Sequence, residues 1–160
     1  MSSNIKVGII ITNKKKNILL IKEKTAKNKR PLWNIIKGTY GDNGEETIFE
    51  AAKRECLEEA SVKVKLTDFA GCYLVRKKDN YQIQFNFIGR IFNGRPAIAK
   101  KDKQKLHNEF ITEVKWFDRK TVKKIPAKKF VSKKIYIMIQ DWLKGKTYPL
   151  SAFKQLKKMG

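Results

Sequence analysis

The stretch that most constrains this chain runs from Glu46 to Val62, ETIFEAAKRECLEEASV, because it sets acids where a helix ordinarily hides apolar side chains. Thr47, followed three residues later by Glu50, makes a capping box in which each side chain satisfies a backbone donor at the helix start. A helix is therefore predicted to begin here. At about 100° per residue, Glu55 and Glu59 share a stripe with Ile48, Ala51 and Ala52, Glu58 lies on its edge, and Phe49, Cys56 and Ala60 form a second stripe. Carboxylates at this spacing repel by about 0.2–0.5 kcal/mol per pair, and partial burial adds to that cost. A hard divalent cation such as magnesium would turn the repulsion into coordination. The helix alone leaves a second reading open, a solvated acidic face paired to lysines.

The flanks decide between the two. Trp33 to Gly38 and then Asn43, Gly44 and Glu45 lead into the helix, which carries Arg54, Glu55, Glu58 and Glu59. From Glu46 through Arg54, Glu55, Cys56, Glu58 and Glu59 to Val62, the spacing resembles the box of the Nudix hydrolases. Two departures stand out: seven residues rather than five separate Gly38 from Glu46, and Ser61 replaces a glycine. The first predicts a longer loop. The second predicts a strained helix end, since a left-handed cap costs a non-glycine residue about 1 kcal/mol.

The resemblance implies metal bound by Glu55, Glu58, Glu59 and the carbonyl of Gly38, with Mg2+ or Mn2+ as the cofactor. It makes Glu58 or Glu59 the group that also takes the proton from water, and it makes Arg54 and Glu46 partners that orient loop and helix. Glu109, in the late loop, holds a position that in some relatives supplies another ligand or a base. Lys37 with Gly38 is similar to the Pro-Lys-Gly of polyphosphate-cleaving members, although Ile36 stands in place of the proline.

The rest of the chain reads as sheet around two helices. Ile5 to Thr12 and Asn17 to Ile21 read as a hairpin about a turn at Asn13–Lys16, and Leu32 to Ile36 resumes an apolar strand after a basic stretch. Val62 to Leu66, Phe69 to Arg76, Tyr81 to Ile91 and Glu109 to Asp118 follow as strands, and Phe130 to Leu143 has helical spacing. Ala97 to Asn108 reads as a lysine-rich loop without apolar period. This is an α+β pattern with a mixed sheet between helices; the resemblance specifies a Nudix-type α/β/α sandwich over residues 1–145, leaving 146–160 as a basic tail. Tyr81, Phe85 and Phe87 are candidates to stack a base, against core packing as the commoner fate of aromatics at period two.

Composition excludes other chemistries. The two cysteines, Cys56 and Cys72, make neither a disulfide framework nor a zinc site and are expected as buried thiols. His107 is the only histidine, with no zinc-ligand spacing around it. No apolar run is long enough to span a bilayer and no signal-peptide pattern opens the chain, so a cytoplasmic enzyme without membrane partners, monomer or homodimer, is the expectation. The net charge of +22 is nearly all lysine, which suits attraction of an anionic nucleotide substrate or a Lys-rich coding bias better than the arginine fork of nucleic-acid recognition. RNA bound through that lysine surface stays open.

Hydrolysis of a diphosphate needs cations to neutralise its shielding oxygens, activate water and stabilise the departing phosphate. The expected activity is therefore metal-dependent cleavage of a diphosphate bond in a nucleoside di- or triphosphate derivative. Lys37 and the lysines from Lys100 to Lys105 favour polyphosphate-rich substrates: nucleoside triphosphates, dinucleoside polyphosphates or the 5′-triphosphate of RNA. A non-catalytic nucleic-acid-binding protein on the same fold is the alternative, and retention of all three box acids argues against it.

Overall fold

The computed structural model describes residues 4–106 and 110–156. Apolar, β-branched segments pair into one eight-stranded mixed sheet. Its strands are β1 (Ile5–Thr12), β2 (Ile18–Thr25), β3 (Asn28–Asn34), β4 (Ile36–Thr39), β5 (Lys63–Lys77), β6 (Asn80–Asn93), β7 (Ile111–Phe117) and β8 (Tyr148–Pro149). Helices α1 (Ile48–Ala60), α2 (Lys101–Leu106), α3 (Arg119–Lys124) and α4 (Lys133–Leu143), with short 3-10 turns at Ala127–Lys129 and Leu150–Ala152, complete the described elements.

The sheet runs β3-β2-β1-β6-β5-β8, with β4 paired to β1 and β7 to β2. Strand β1 is parallel to β6 and antiparallel to β2 and β4. Only Ile35 separates β3 from β4, yet β3 pairs with β2 and β4 with β1, so the sheet splays at this point and opens a cleft at its edge.

Alternation along β1 and β2 sends Val7, Ile9, Ile11, Leu19 and Ile21 into one core and Ile10, Ile18 and Leu20 into the other. The first core receives Ile48, Ala51, Ala52, Cys56 and Ala60 of α1; the second receives Ile135, Met138, Ile139 and Trp142 of α4. The sheet thus lies between the two long helices, the α+β sandwich that the element order implies.

Several segments differ from the sequence reading. The two strands expected at 62–66 and 69–76 are one, β5, kept continuous through irregularities at Leu66/Asp68 and Phe69/Gly71, where Gly71 takes a φ of 106°. The basic stretch after Ile21 is not loop: β2 continues to Thr25 and turns back as β3. The expected loop at 97–108 contains α2, held by the buried Gln104, whose side chain donates to Ala99 O and accepts from Ile111 N. Cys56 is buried, but Cys72 is exposed on β5, because its side of the strand carries no covering layer at that point.

The boundary expected at residue 145 does not divide the molecule. Tyr148 and Pro149 pair with Phe69 and Asp68 as β8. Phe153 then enters a cluster of rings, 5.6 Å from Phe49, 5.7 Å from Phe69, 5.0 Å from Phe85 and 5.6 Å from Phe87. Apolar residues at 148, 150 and 153 within the basic segment account for this return to the core. Among the described residues, no helix is long and apolar enough to cross a membrane.

Candidate active site

Helix α1 starts on the capping box read from the sequence: Glu50 N donates to Thr47 Oγ1 at 3.2 Å and Thr47 N to Glu50 Oε2 at 2.6 Å. It ends on Ser61, whose φ of 58° is left-handed, the strained cap that the missing glycine predicts. Between these ends, small residues let α1 lie close on the sheet, so Glu55 and Glu59 are each only 6% exposed.

Arg54 ties this helix to the loop before it. Its Nε and Nη2 grip Glu46 at 2.9 and 2.8 Å, a bidentate pair. Its Nη1 reaches Glu55 at 2.6 Å and Glu58 at 3.3 Å, and Nη2 also donates to the carbonyl of Thr39 at 3.3 Å. The Glu46 hydrogen bonds raise the Arg54 pKa above its ordinary value, which leaves it permanently charged. The Glu55 carboxyl is raised as well: burial pushes it up, against the pull of Arg54. Glu59 accepts from the backbone N–H of Lys37 at 3.2 Å, which fixes β4 to the helix.

Gly38 sits directly against Glu55. A Cβ at that position would lie 1.9 Å from Glu55 Oε1, so only glycine admits the carboxylate there. Its backbone is not left-handed, and close approach is the reason for the residue.

These groups line a cleft of about 400 Å³, to which α1 contributes Arg54, Glu55, Glu58 and Glu59 and strands β1, β2 and β4 contribute Lys6, Lys24 and Lys37, with Glu23 and Asp42 also in its lining. The acids and the Gly38 carbonyl are hard oxygen donors, and Gly38 and the three acids line one cleft with the Glu55 carboxylate packed against the Gly38 backbone, so the donor set fits a hard divalent cation. Among the described residues, no three acidic, cysteine or histidine side chains already converge as a metal shell. Arg54 instead engages Glu55 and Glu58.

A family model of the NUDIX domain matches residues 3–138 of this sequence. The chain belongs to the Nudix family. Cleavage of pyrophosphate linkages, generally with divalent metal, is the activity that this Nudix hydrolase shares with its family. A NUDIX hydrolase from Nitrosomonas europaea has the same fold, with a TM-score of 0.75 at 21% identity over 96% of this chain and 97% of that one. A MutT protein from Methanosarcina mazei Go1 gives 0.65 at 17% identity, over 89% and 94%. The NUDIX domain of Shewanella oneidensis NrtR, a structure complexed with ADP ribose, gives 0.62 at 12%, over 88% and 86%.

Of the residues singled out in the sequence, Lys37, Gly38, Arg54, Glu55, Glu58 and Glu59 meet in this cleft of the Nudix hydrolase. Glu109 and His107 fall outside the described residues. Tyr81 is 54% exposed on β6 and is not among the cleft-lining residues, and Phe85 and Phe87, candidates for base stacking with core packing as the commoner fate, both pack into the aromatic cluster around Phe153, with Phe87 fully buried. Lys100 and Lys103 line a neighbouring cavity of about 520 Å³ that shares Glu58, rather than the cleft itself. Sequence reasoning missed Lys6, Lys24, Thr39, Asp42 and Phe110, which line the cleft. Lys6 arrives there because β1 pairs with β4, Lys6 opposite Thr39, a register that no local pattern announces.

Proposed function

We propose that this Nudix hydrolase cleaves a diphosphate bond in a nucleoside di- or triphosphate derivative, using Mg2+ or Mn2+ in the cytoplasm, and that it prefers substrates rich in phosphate. The observation that carries this reading is one cleft lined both by the α1 carboxylates Glu55, Glu58 and Glu59 and by the strand lysines Lys6, Lys24 and Lys37. Each further phosphate on a substrate adds about one negative charge for the lysines to hold.

A divalent ion bound by Glu55, Glu58, Glu59 and the Gly38 carbonyl would neutralise phosphate oxygens and acidify a nearby water. Glu58 or Glu59 takes the proton from the attacking water. Arg54, locked by Glu46 and Thr39, holds the acids and the loop in register, a positioning rather than a reacting role. Glu109, outside the described residues, is proposed as a further acid only on the resemblance of its late-loop position to one that supplies a ligand or a base in some relatives.

The test is catalytic efficiency with magnesium or manganese on a nucleoside triphosphate, a dinucleoside tetraphosphate, a short 5′-triphosphorylated RNA and ADP-ribose, each at two salt concentrations. The first three should exceed ADP-ribose, and their advantage should shrink as salt rises. ADP-ribose beating all three with little salt dependence would overturn the proposed substrate class. Strong preference for the RNA alone would make the lysine surface a nucleic-acid track.

A further inference from the structure

Beyond the cleft, the face of the sheet that α4 covers carries charges and amides that the hydrolytic site leaves unused. Ile10 and Ile35 belong to the core under α4, so alternation puts Lys6 and Gly8 of β1, and Lys37 of β4, on that same face. On β6, Gln84 stands opposite Lys6 and Asn86 opposite Gly8, and Gln84 Nε2 lies 3.6 Å from Met138 Sδ of α4. Gly8 leaves room for these amides: a Cβ there would meet Asn86 Oδ1 at 2.3 Å and Gln84 Nε2 at 2.6 Å. Although Gln84 and Asn86 are wholly buried, Gln84 Oε1 and Asn86 Nδ2 have no hydrogen-bond partner among the described residues. That is an uncommon state for buried polar atoms.

Lysines gather above this floor. Lys134 of α4 donates to Gln82 Oε1 at 2.9 Å, and Gln82 lies on β6 two residues before Gln84, the partner of Lys6, which brings Lys134 to the same end of this face; burial first, and then repulsion from Lys37, Lys77 and Lys6, presses its pKa down to about 8. Lys6 is lowered by burial and then by Lys37, with Asp42 and Glu55 opposing. Like charges collected at one place destabilise each other unless an anion joins them. Lys6 and Lys37 also line the cleft, so a single ligand could touch the acid wall and the lysine cluster at once.

We propose that Lys6, Lys37 and Lys134, with Lys77 at the outer edge, form a phosphate-binding subsite that holds the part of a polyphosphate substrate lying beyond the cleaved linkage. This rests on the diphosphate-hydrolase reading above and names where its extra phosphates go. Lysine suits the task as a compact point charge able to follow a flexible polyphosphate.

Inorganic tripolyphosphate is the probe, titrated calorimetrically into the full chain in chelator-containing buffer without divalent metal. The parent should bind it. Lys134→Met and Lys6→Met, which keep most of the apolar stem, should each weaken binding at least tenfold with an unchanged melting temperature. Lys128→Met, on an exposed turn away from the cleft, should stay within twofold of the parent. Parent-like binding by both Lys134→Met and Lys6→Met would overturn the subsite, and so would an equal loss in Lys128→Met, since binding would then reflect the overall charge. Because the titration needs neither metal nor turnover, its failure is separable from failure of the hydrolase reading, which shows as absent metal-dependent product release.

Discussion

Replacing Gly38 by alanine tests whether the acid wall depends on backbone contact. The added Cβ would start 1.9 Å from Glu55 Oε1 and 2.0 Å from Glu55 Cδ, whereas an unstrained contact lies at about 3.5 Å. The carboxylate or the strand must therefore give by about 1.5 Å. Glu55 cannot simply swing away, because it is buried and held by Arg54 at 2.6 Å. Overpacking of this kind costs about 1–3 kcal/mol, and a displacement of about 1 Å in a positioned group can cost about a hundredfold in rate. The backbone itself imposes no penalty, since Gly38 is not left-handed. The expected outcome is a folded protein, destabilised by that amount in chemical denaturation and with turnover down by about two orders of magnitude on its best substrate. A Gly38→Ala protein with stability and turnover within twofold of the parent would refute the reasoning.

Millimolar magnesium or manganese should raise the melting temperature, because metal binds the folded acids in preference to the unfolded chain; the triple Gln variant at Glu55, Glu58 and Glu59 should lose that response. Glu58→Gln or Glu59→Gln should lower turnover at least about a hundredfold while the fold survives, as read by steady-state kinetics and circular dichroism. Ser61→Gly should stabilise the protein by up to about 1 kcal/mol in urea unfolding, since Ser61 adopts a φ of 58°. Phe153→Ala should cost about 3 kcal/mol by the same measurement, for loss of a ring that touches four others.

Much of the acid wall was legible because it is local. Helical spacing alone brings Glu55, Glu58 and Glu59 together, and Thr47 with Glu50 marks where the helix begins. Of the lysines in the cleft only Lys37, beside Gly38, was legible; Lys6 and Lys24 come from strands whose register depends on long-range pairing. The aromatic residues were ambiguous for a related reason: Phe85 and Tyr81 share a strand pattern, and only the return of Phe153 decides that Phe85 packs inward. Basic composition masked that return. Residues 146–160 read as a tail by charge, although Tyr148, Leu150 and Phe153 carry enough apolar surface to dock.

The docking of that segment reaches the helix that carries the acids. Ile48 N, one of the donors that a helix start leaves without an intrahelical partner, is satisfied by Gln155 Oε1 at 2.7 Å, across 107 residues of chain. The same amide donates to Tyr40 Oη at 2.8 Å in the loop between Gly38 and Glu46. During synthesis the acids and their capping box emerge early, but the acceptor for Ile48 N arrives only once residue 155 has been made. A nascent chain can thus present Glu55, Glu58 and Glu59 on a helix whose first turn is still loose. One tie on the helix of the acids comes from a residue 107 positions further along the chain.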